Sequence, residues 1–173
     1  MYTFIAETPL GKMRAAADEN ALKGLWFIGQ KYFPAEADTW IPEPDYHVFV
    51  TLRAWLKDYF ARKNPKAAMP LSPEGTEFQQ AVWKLLLKIP CGKTCTYGEI
   101  AAKLAASGKK NQQGPYPAAQ AVGGAVGHNP ISLIIPCHRV LGANGNLTGY
   151  AGGLEKKRAL LELEGFYSQS GAG

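Results

Sequence analysis

Cysteine and histidine are scarce in this 173-residue sequence, limited to Cys91, Cys95 and Cys137 and to His47, His128 and His138. Three thiols cannot all pair within one chain, so a complete disulfide framework is excluded and at least one thiol is free. Cys91 and Cys95 stand four apart, but no second ligand pair accompanies them at the spacing of a structural zinc site, and residues 1–75 contain no cysteine. They are read as space-filling residues, and no metal is expected. Long apolar runs are missing as well: nothing approaches the roughly 20 residues that cross a bilayer. The N-terminus lacks the basic stretch and apolar core of a secretory signal. These absences lead to the expectation of a protein away from membranes, cytoplasmic in a bacterium or nuclear in a eukaryote.

Acidic residues thin out along the chain. Residues 1–75 hold nine Lys/Arg and nine Asp/Glu, whereas 76–173 hold ten and five, so the whole net charge of +5 lies in the second part. A basic domain joined to a neutral one suits a polyanionic partner, because neutralising phosphates releases condensed counterions. A basic face that is simply solvated has the same composition.

Short segments at 2–7, 12–17 and 21–28, separated by Pro9-Leu10-Gly11 and Asp18-Glu19-Asn20, predict a small antiparallel sheet. Phe49, Leu52, Leu56, Tyr59 and Phe60 recur at helical spacing within 46–62 and predict a helix packed on that sheet. From 64 to 75 the sequence has three prolines and no periodicity. The domains are accordingly placed at 1–68 and 76–166, with a linker at 69–75 and a flexible tail at 167–173. Thr76-x-x-Gln79 and Thr96-x-x-Glu99 are capping-box patterns that open helices. The first helix carries Phe78, Val82, Leu85, Leu86 and Ile89 on one face, the second Ile100 and Leu104. A third helix, over 117–127, completes a helix-turn-helix pattern. Its Gly123, Gly124 and Gly127 each cost about 1 kcal/mol relative to alanine in a helix interior. Two compensations stay open on these residues alone: close approach to a DNA groove, or tight packing on a neighbouring helix.

The apolar run 131–135 has the length of a buried strand and leads into Pro136-Cys137-His138-Arg139-Val140. A thiol of pKa about 8.5 is only a few per cent ionised at neutral pH, so a working cysteine needs a cation, a helix N-terminus or a base. His138 and Arg139 stand next to it, although a Cys-His dipeptide alone is commonplace. Gly149-Tyr150-Ala151-Gly152-Gly153 is not a phosphate cradle, because the strand-turn-helix context and the Lys-Ser/Thr of a P-loop are missing.

Six motifs in a fixed order carry the reading further. Thr96-Tyr97-Gly98-Glu99, Ala121-Val122-Gly123-Gly124-Ala125 and Asn129-Pro130 precede Ile135-Pro136-Cys137-His138-Arg139-Val140. Gly149-Tyr150-Ala151-Gly152-Gly153-Leu154 and Leu163-Glu164-Gly165 follow it. Together they resemble the O6-alkylguanine-DNA alkyltransferase family over almost the whole length, and Thr8-Pro9-Leu10-Gly11 resembles that family's opening turn.

The resemblance implies an α+β fold, with a ribonuclease-H-like N-terminal domain of a small sheet and a helix, followed by a mainly helical, winged helix-turn-helix domain. It implies direct-reversal repair of double-stranded DNA carrying alkylated guanine, by a monomer that needs no cofactor. Cys137 accepts the alkyl group, His138 ionises it through a water, and Glu164 orients His138. Tyr97 donates to the leaving base, and Asn129 braces the backbone of the site. Ala118, Ala119, Gln120, Ala121, Gly123 and Gly124, with Tyr97 and Arg139, meet the DNA. Val140, Tyr150, Ala151 and Gly152 wall the pocket for the flipped base. Plainer readings stand beside these: Tyr97 as a core residue, Asn129 as a turn former before Pro130, and Glu164 as a solvated side chain in a helix's last turn.

Two positions depart from the family pattern. Gln120 stands where most relatives carry an arginine that fills the gap left by the flipped base, and Ala151 where some carry a hydroxyl. The segment 108–117 is also longer than such a pair of helices needs. Two competing activities remain: a thiol hydrolase, which would turn over, and a lesion-binding regulator, whose relatives replace the cysteine, commonly by tryptophan.

Overall fold

A computed structural model of the chain describes residues 1–108 and 118–167. The long inter-helix segment, at 109–117, and the end of the tail, at 168–173, lie outside the described residues. Two units emerge: Met1–Glu74 with Pro130–Ile134, and Gly75–Asn129 with Ile135–Gly173 so far as described.

The first unit is built on β1 (Tyr2–Thr8), β2 (Gly11–Ala17) and β3 (Leu22–Phe27), paired antiparallel, with the two-residue β4 (Ile41–Pro42) parallel to β1. The turn signals act as local chemistry. Thr8 Oγ1 donates to Gly11 O at 2.6 Å while Gly11 takes φ +118°, a conformation that glycine adopts freely. Before β3, the Asp18 carboxylate accepts the amides of Asn20 and Ala21, both at 2.9 Å. Helix α1 (His47–Phe60) buries Phe49, Leu52, Leu56 and Tyr59, and the Phe49 ring lies 5.0 Å from that of Phe4 on β1.

The free edge of β3 is covered at two points. Residues 70–72, inside the stretch read as a linker, bond to Leu22 on both sides: Leu22 N–H to Pro70 O and Ser72 N–H to Leu22 O, each 2.9 Å. Further along, Leu25 donates to Pro130 O at 2.8 Å and accepts from Ser132 N–H at 2.9 Å. The run 131–135 is therefore not the strand expected from its apolarity. Only Ile131 bridges the sheet, and the chain then turns, with buried Leu133 at φ +70° and Ile134 N–H bonded to Ser132 O at 2.8 Å. The apolar residues around Ser132 marked burial correctly but could not tell a strand from a buried turn.

The second unit starts with α2 (Glu77–Leu86), where the capping box is complete: Thr76 Oγ1 accepts the Gln79 amide at 3.1 Å, and Gln79 Oε1 accepts the Thr76 amide at 2.9 Å. Helix α3 (Tyr97–Ala106) makes half of the same motif. Thr96 Oγ1 accepts the Glu99 amide, while the Glu99 carboxylate takes the Cys95 thiol at 3.5 Å. Helix α4 (Ala119–Gly127) buries Val122, Ala125 and Val126, and Trp83 of α2 pins it by donating Nε1–H to Ala125 O at 2.9 Å. A two-residue parallel pair, β5 (Cys95–Thr96) with β6 (Val140–Leu141), ties the start of α3 to the segment after Cys137. Helix α5 (Leu154–Leu163) closes the unit. Replacing Thr76 by alanine removes the half of this exposed cap that the Thr76 hydroxyl supplies and leaves the Gln79 half, which rests on the backbone amide. We expect a loss of about 1 kcal/mol in urea unfolding with the cooperativity unchanged.

Candidate active site

Cys137 sits at the end of a tightly specified turn. Pro136 adopts φ −81° and ψ 68°, close to the inverse γ-turn, and Cys137 N–H closes it on Ile135 O at 2.8 Å. The proline ring confines φ near the value this turn requires. Asn129 Nδ2 donates to the same Ile135 carbonyl at 2.8 Å and also reaches the Cys137 side chain. Cys137–Arg139 then form one 3₁₀ turn that runs into β6. Burial pushes the Cys137 thiol up, while the Asn129 bond and the Lys157 charge pull it down. At rest the site therefore holds a neutral thiol.

Helix α5 ends at Glu164, and Gly165 at φ +84° turns the chain away after it. A carboxylate at this end opposes the helix dipole. It is met by two partners. His138 Nε2 lies 2.6 Å from Glu164 Oε2, and Arg139 donates Nε to Oε1 at 2.7 Å and Nη2 to Oε2 at 3.0 Å. The Arg139 Nη1 goes to Ile89 O at 2.6 Å. Burial would raise the Glu164 carboxyl, but the bonds and charges of His138 and Arg139 outweigh it and hold the group well below the usual carboxylate range. Because an ionised carboxylate only accepts, the His138 proton belongs on Nε2. Nδ1 then carries the lone pair, buried and without a hydrogen-bond partner among the described residues. Burial lowers the basicity of His138, the Glu164 contact raises it, and the nearby Arg139 and Lys157 charges lower it again. The outcome is a neutral imidazole next in sequence to a neutral thiol.

Arg139 corrects the sequence reading, which placed it against DNA. Its guanidinium is spent on Glu164 and Ile89 and is almost fully buried. The other expected DNA contacts keep an open face. Ala118, Ala119, Gln120 and Gly124 are exposed, and Ala121 and Gly123 are half-buried. A Cβ on Gly124 would meet nothing within 4 Å, and one on Gly123 would make only ordinary contact with the Tyr97 ring at 3.8 Å. Packing inside the described protein therefore requires neither glycine. Tyr97, positioned by β5, donates its hydroxyl to Thr148 O at 3.2 Å; burial and then the Cys137 charge keep that hydroxyl protonated. Val140 is fully buried beneath the thiol's turn, while Tyr150, Ala151 and Gly152 are half-buried.

One group was missed. Lys157 of α5 is completely buried, donates to Thr148 O at 2.8 Å and Gly149 O at 2.9 Å, and lies 5.9 Å from the Tyr97 ring centre. The signal was in the sequence: Lys157, Leu160, Leu161 and Glu164 recur at the spacing of one helix face, which puts a lysine at an apolar position.

Two family models match this chain: the 6-O-methylguanine DNA methyltransferase ribonuclease-like domain over residues 1–73, and the DNA binding domain of the same name over 77–166. The chain belongs to the 6-O-methylguanine DNA methyltransferase family. Within this family it is similar to the methylated-DNA–protein-cysteine methyltransferase of Mycobacterium tuberculosis, 46% identical over 158 residues that cover 91% of this chain and 88% of that protein. The enzyme of the same name from Methanosarcina acetivorans is 46% identical over 165 residues, covering 95% and 99%. The crystal structure of Mycobacterium tuberculosis OGT in complex with DNA matches with a TM-score of 0.81 at 42% identity, covering 95% of this chain and 92% of the other. The expected α+β fold, a small N-terminal sheet with its helix and a helical C-terminal domain, stands.

The shared carboxylate gives the family site a defined response to acid. A carboxyl whose folded pKa lies below its unfolded value stabilises fully above about pH 4.3 and loses that contribution as pH falls toward the folded value. His138 acts in the same direction from about pH 6.5 downward, because the unfolded imidazole takes a proton that the buried one resists. Urea midpoints should therefore fall on acidification in two stages. Glu164→Gln should remove the lower stage and, by leaving Arg139 buried without its carboxylate, cost about 3–5 kcal/mol at neutral pH.

Proposed function

We propose that this chain repairs double-stranded DNA by moving the alkyl group of O6-alkylguanine, and of O4-alkylthymine, irreversibly onto its own Cys137, as a monomer without a cofactor. The observation that carries the reading is the state of His138, with Nε2 tied to Glu164 at 2.6 Å and a buried Nδ1 left as an acceptor beside the cysteine turn. The thiol proton passes to that nitrogen, directly or through a solvent molecule, and Glu164 stabilises the imidazolium that results. The sulfur then forms a bond to the alkyl carbon as the carbon–oxygen bond breaks, and the electron pair passes into the guanine. The Tyr97 hydroxyl, still protonated, turns from Thr148 O to the leaving base and meets its charge. The product is a thioether, which no residue of the site can hydrolyse, so each molecule acts once.

A base stacked in a duplex cannot reach a cysteine this deeply buried, and rotating it out costs a few kcal/mol. The exposed side of α4 suits the task. Its small residues let the backbone approach a groove, and among the described residues its first turn has no side-chain cap, which suits its amides to phosphate. Gln120 serves as the wedge but brings no charge. Gln120→Arg should speed repair of duplex DNA and tighten its binding; unchanged or slower repair would count against the wedge role.

Mass spectrometry after incubation with O6-methylguanine DNA should show one methyl group on Cys137 and then no further consumption of lesion. Repeated turnover on an ester would identify a thiol hydrolase instead. Cys137→Ser should abolish transfer while DNA binding survives. The pH profile tests the base. Because proton transfer within a neutral pair leaves the total charge unchanged, the rate should be flat from below pH 6.5 to above pH 9, bounded by the lowered His138 and the raised Cys137. Without the base, only free thiolate reacts, so His138→Ala should give a rate climbing about tenfold per pH unit through the same range.

A further inference from the structure

We propose that the free edge of β1 is a docking site for an extended, acidic segment of another protein, which adds to the sheet as a further strand in the groove between β1 and α1. The site lies within the first unit and asks nothing of the transfer reaction.

The two-residue connection Pro9-Leu10 fixes which way each residue of β1 faces. It makes Thr8 and Gly11 a hydrogen-bonded pair, so the even-numbered residues of β1 bond toward β2 and Thr3, Ile5 and Glu7 bond outward. On that outer side β4 covers only the beginning: Ile41 donates to Met1 O at 3.0 Å and Glu43 to Thr3 O at 2.9 Å. The chain then turns through Tyr46 N–H to Glu43 O and enters α1. The outward N–H and C=O groups of Ile5 and Glu7 consequently meet no partner among the described residues. The opposite edge, at β3, is closed by backbone from two other segments, and β1 has no such cover. A groove of about 410 Å³ follows the open stretch, between β1 and the side of α1 that carries Arg53, Leu56, Lys57 and Phe60.

The walls of the groove specify its occupant. Two donors and two acceptors along an edge are matched by another extended backbone, whereas the phosphates of a nucleic acid would answer only the donors. Phe4 points to α1, with its ring 5.0 Å from that of Phe49, so alternation puts Ile5 and Glu7 on the other face. There Ile5 is 46% exposed, and Glu7 is matched by Lys12 at 3.6 Å. On the α1 side Arg53 and Lys57 stand four apart, and neither meets a carboxylate among the described residues. Arg53 is held in place over the Phe4 ring at 5.2 Å, with Nη2 on Pro44 O at 2.6 Å. The unmatched charge is thus positive and lies on one face only. A strand with carboxylates toward α1 and β-branched residues beside Ile5 answers both faces. A second copy of this chain, paired edge to edge, would bring the same cations together instead.

Amide hydrogen exchange of the full chain, followed by NMR, tests the edge directly. The probe is a capped peptide of about eight alternating Val and Glu residues, long enough to span the open stretch. In the free protein the amides of Ile5 and Glu7 should exchange fast and those of Phe4 and Ala6, bonded to β2, slowly. With the peptide at about ten times its Kd, exchange at Ile5 and Glu7 should slow about tenfold, because only the unbound fraction stays open. The same peptide with Lys in place of Glu should protect neither amide. Lys57 is exposed, and Lys57→Glu should weaken binding of the Val-Glu peptide about fivefold at low salt. Fast exchange at both amides in millimolar Val-Glu peptide, equal protection by the Lys peptide, or unchanged affinity in Lys57→Glu would overturn the proposal. Protection without any peptide, accompanied by a dimer in sedimentation, would assign the edge to a second copy. Protection by a DNA duplex and not by the peptide would assign it to nucleic acid, and either result overturns the proposal as well.

Discussion

The Glu164 carboxylate is shared between two side chains that are adjacent in sequence and opposite in duty. Arg139 takes it through two nitrogens and holds it ionised; His138 takes one oxygen and is fixed by it in a single tautomer. Neither partner would suffice alone. With arginine only, the carboxylate would be structural, and with histidine only, the pair could share a proton and the imidazole would lose its free lone pair. The fork keeps the negative charge firmly on Glu164 and so keeps Nδ1 available. It also joins the last turn of α5 to the loop at Ile89 through Arg139 Nη1, so the group that orients the base is braced from two directions.

Around that charge the site is assembled from very short elements. The parallel pair β5–β6 has two residues per strand, yet it places Tyr97 and Cys137, forty positions apart, beside one another. The turn at Pro136 depends on a single carbonyl, Ile135 O, which accepts both the Cys137 amide and the Asn129 side chain. Such elements have little stability of their own and persist because the backbone groups and the Asn129 amide at their joints are partnered. Removing Asn129 therefore weakens the turn and alters the thiol's surroundings at once.

Much of this was legible in the sequence, for reasons that differ by residue. The sheet of the first unit, α1 and the helix starts at Thr76 and Thr96 followed from turn chemistry and spacing, which are local. The proximity of Glu164 to His138 was not local and came from the order of motifs. Arg139 was misplaced because basic composition suggests polyanions, and nothing in composition distinguishes an arginine facing DNA from one consumed by a buried carboxylate. The run 131–135 was misread because burial, not strand geometry, makes a segment largely apolar. Lys157 was passed over since a lysine in an amphipathic helix is usually solvated, although its spacing with Leu160 and Leu161 marked the buried face.

The first unit is discontinuous in the chain: its sheet edge is finished by Pro130–Ile134, which arrive only after α2, α3 and α4. Synthesis from the N-terminus therefore yields β1, β2, β3 and α1 long before the segment that caps Leu25. Until then that stretch of β3 presents unpaired amides and carbonyls, the kind of edge that recruits other chains. The next residues to emerge are Ile135, Pro136 and Cys137. Completion of the sheet and delivery of the reactive thiol are thus consecutive events in the life of the nascent protein, and a gene divided after residue 74 would yield neither a finished sheet nor a second piece free of the segment that finishes it.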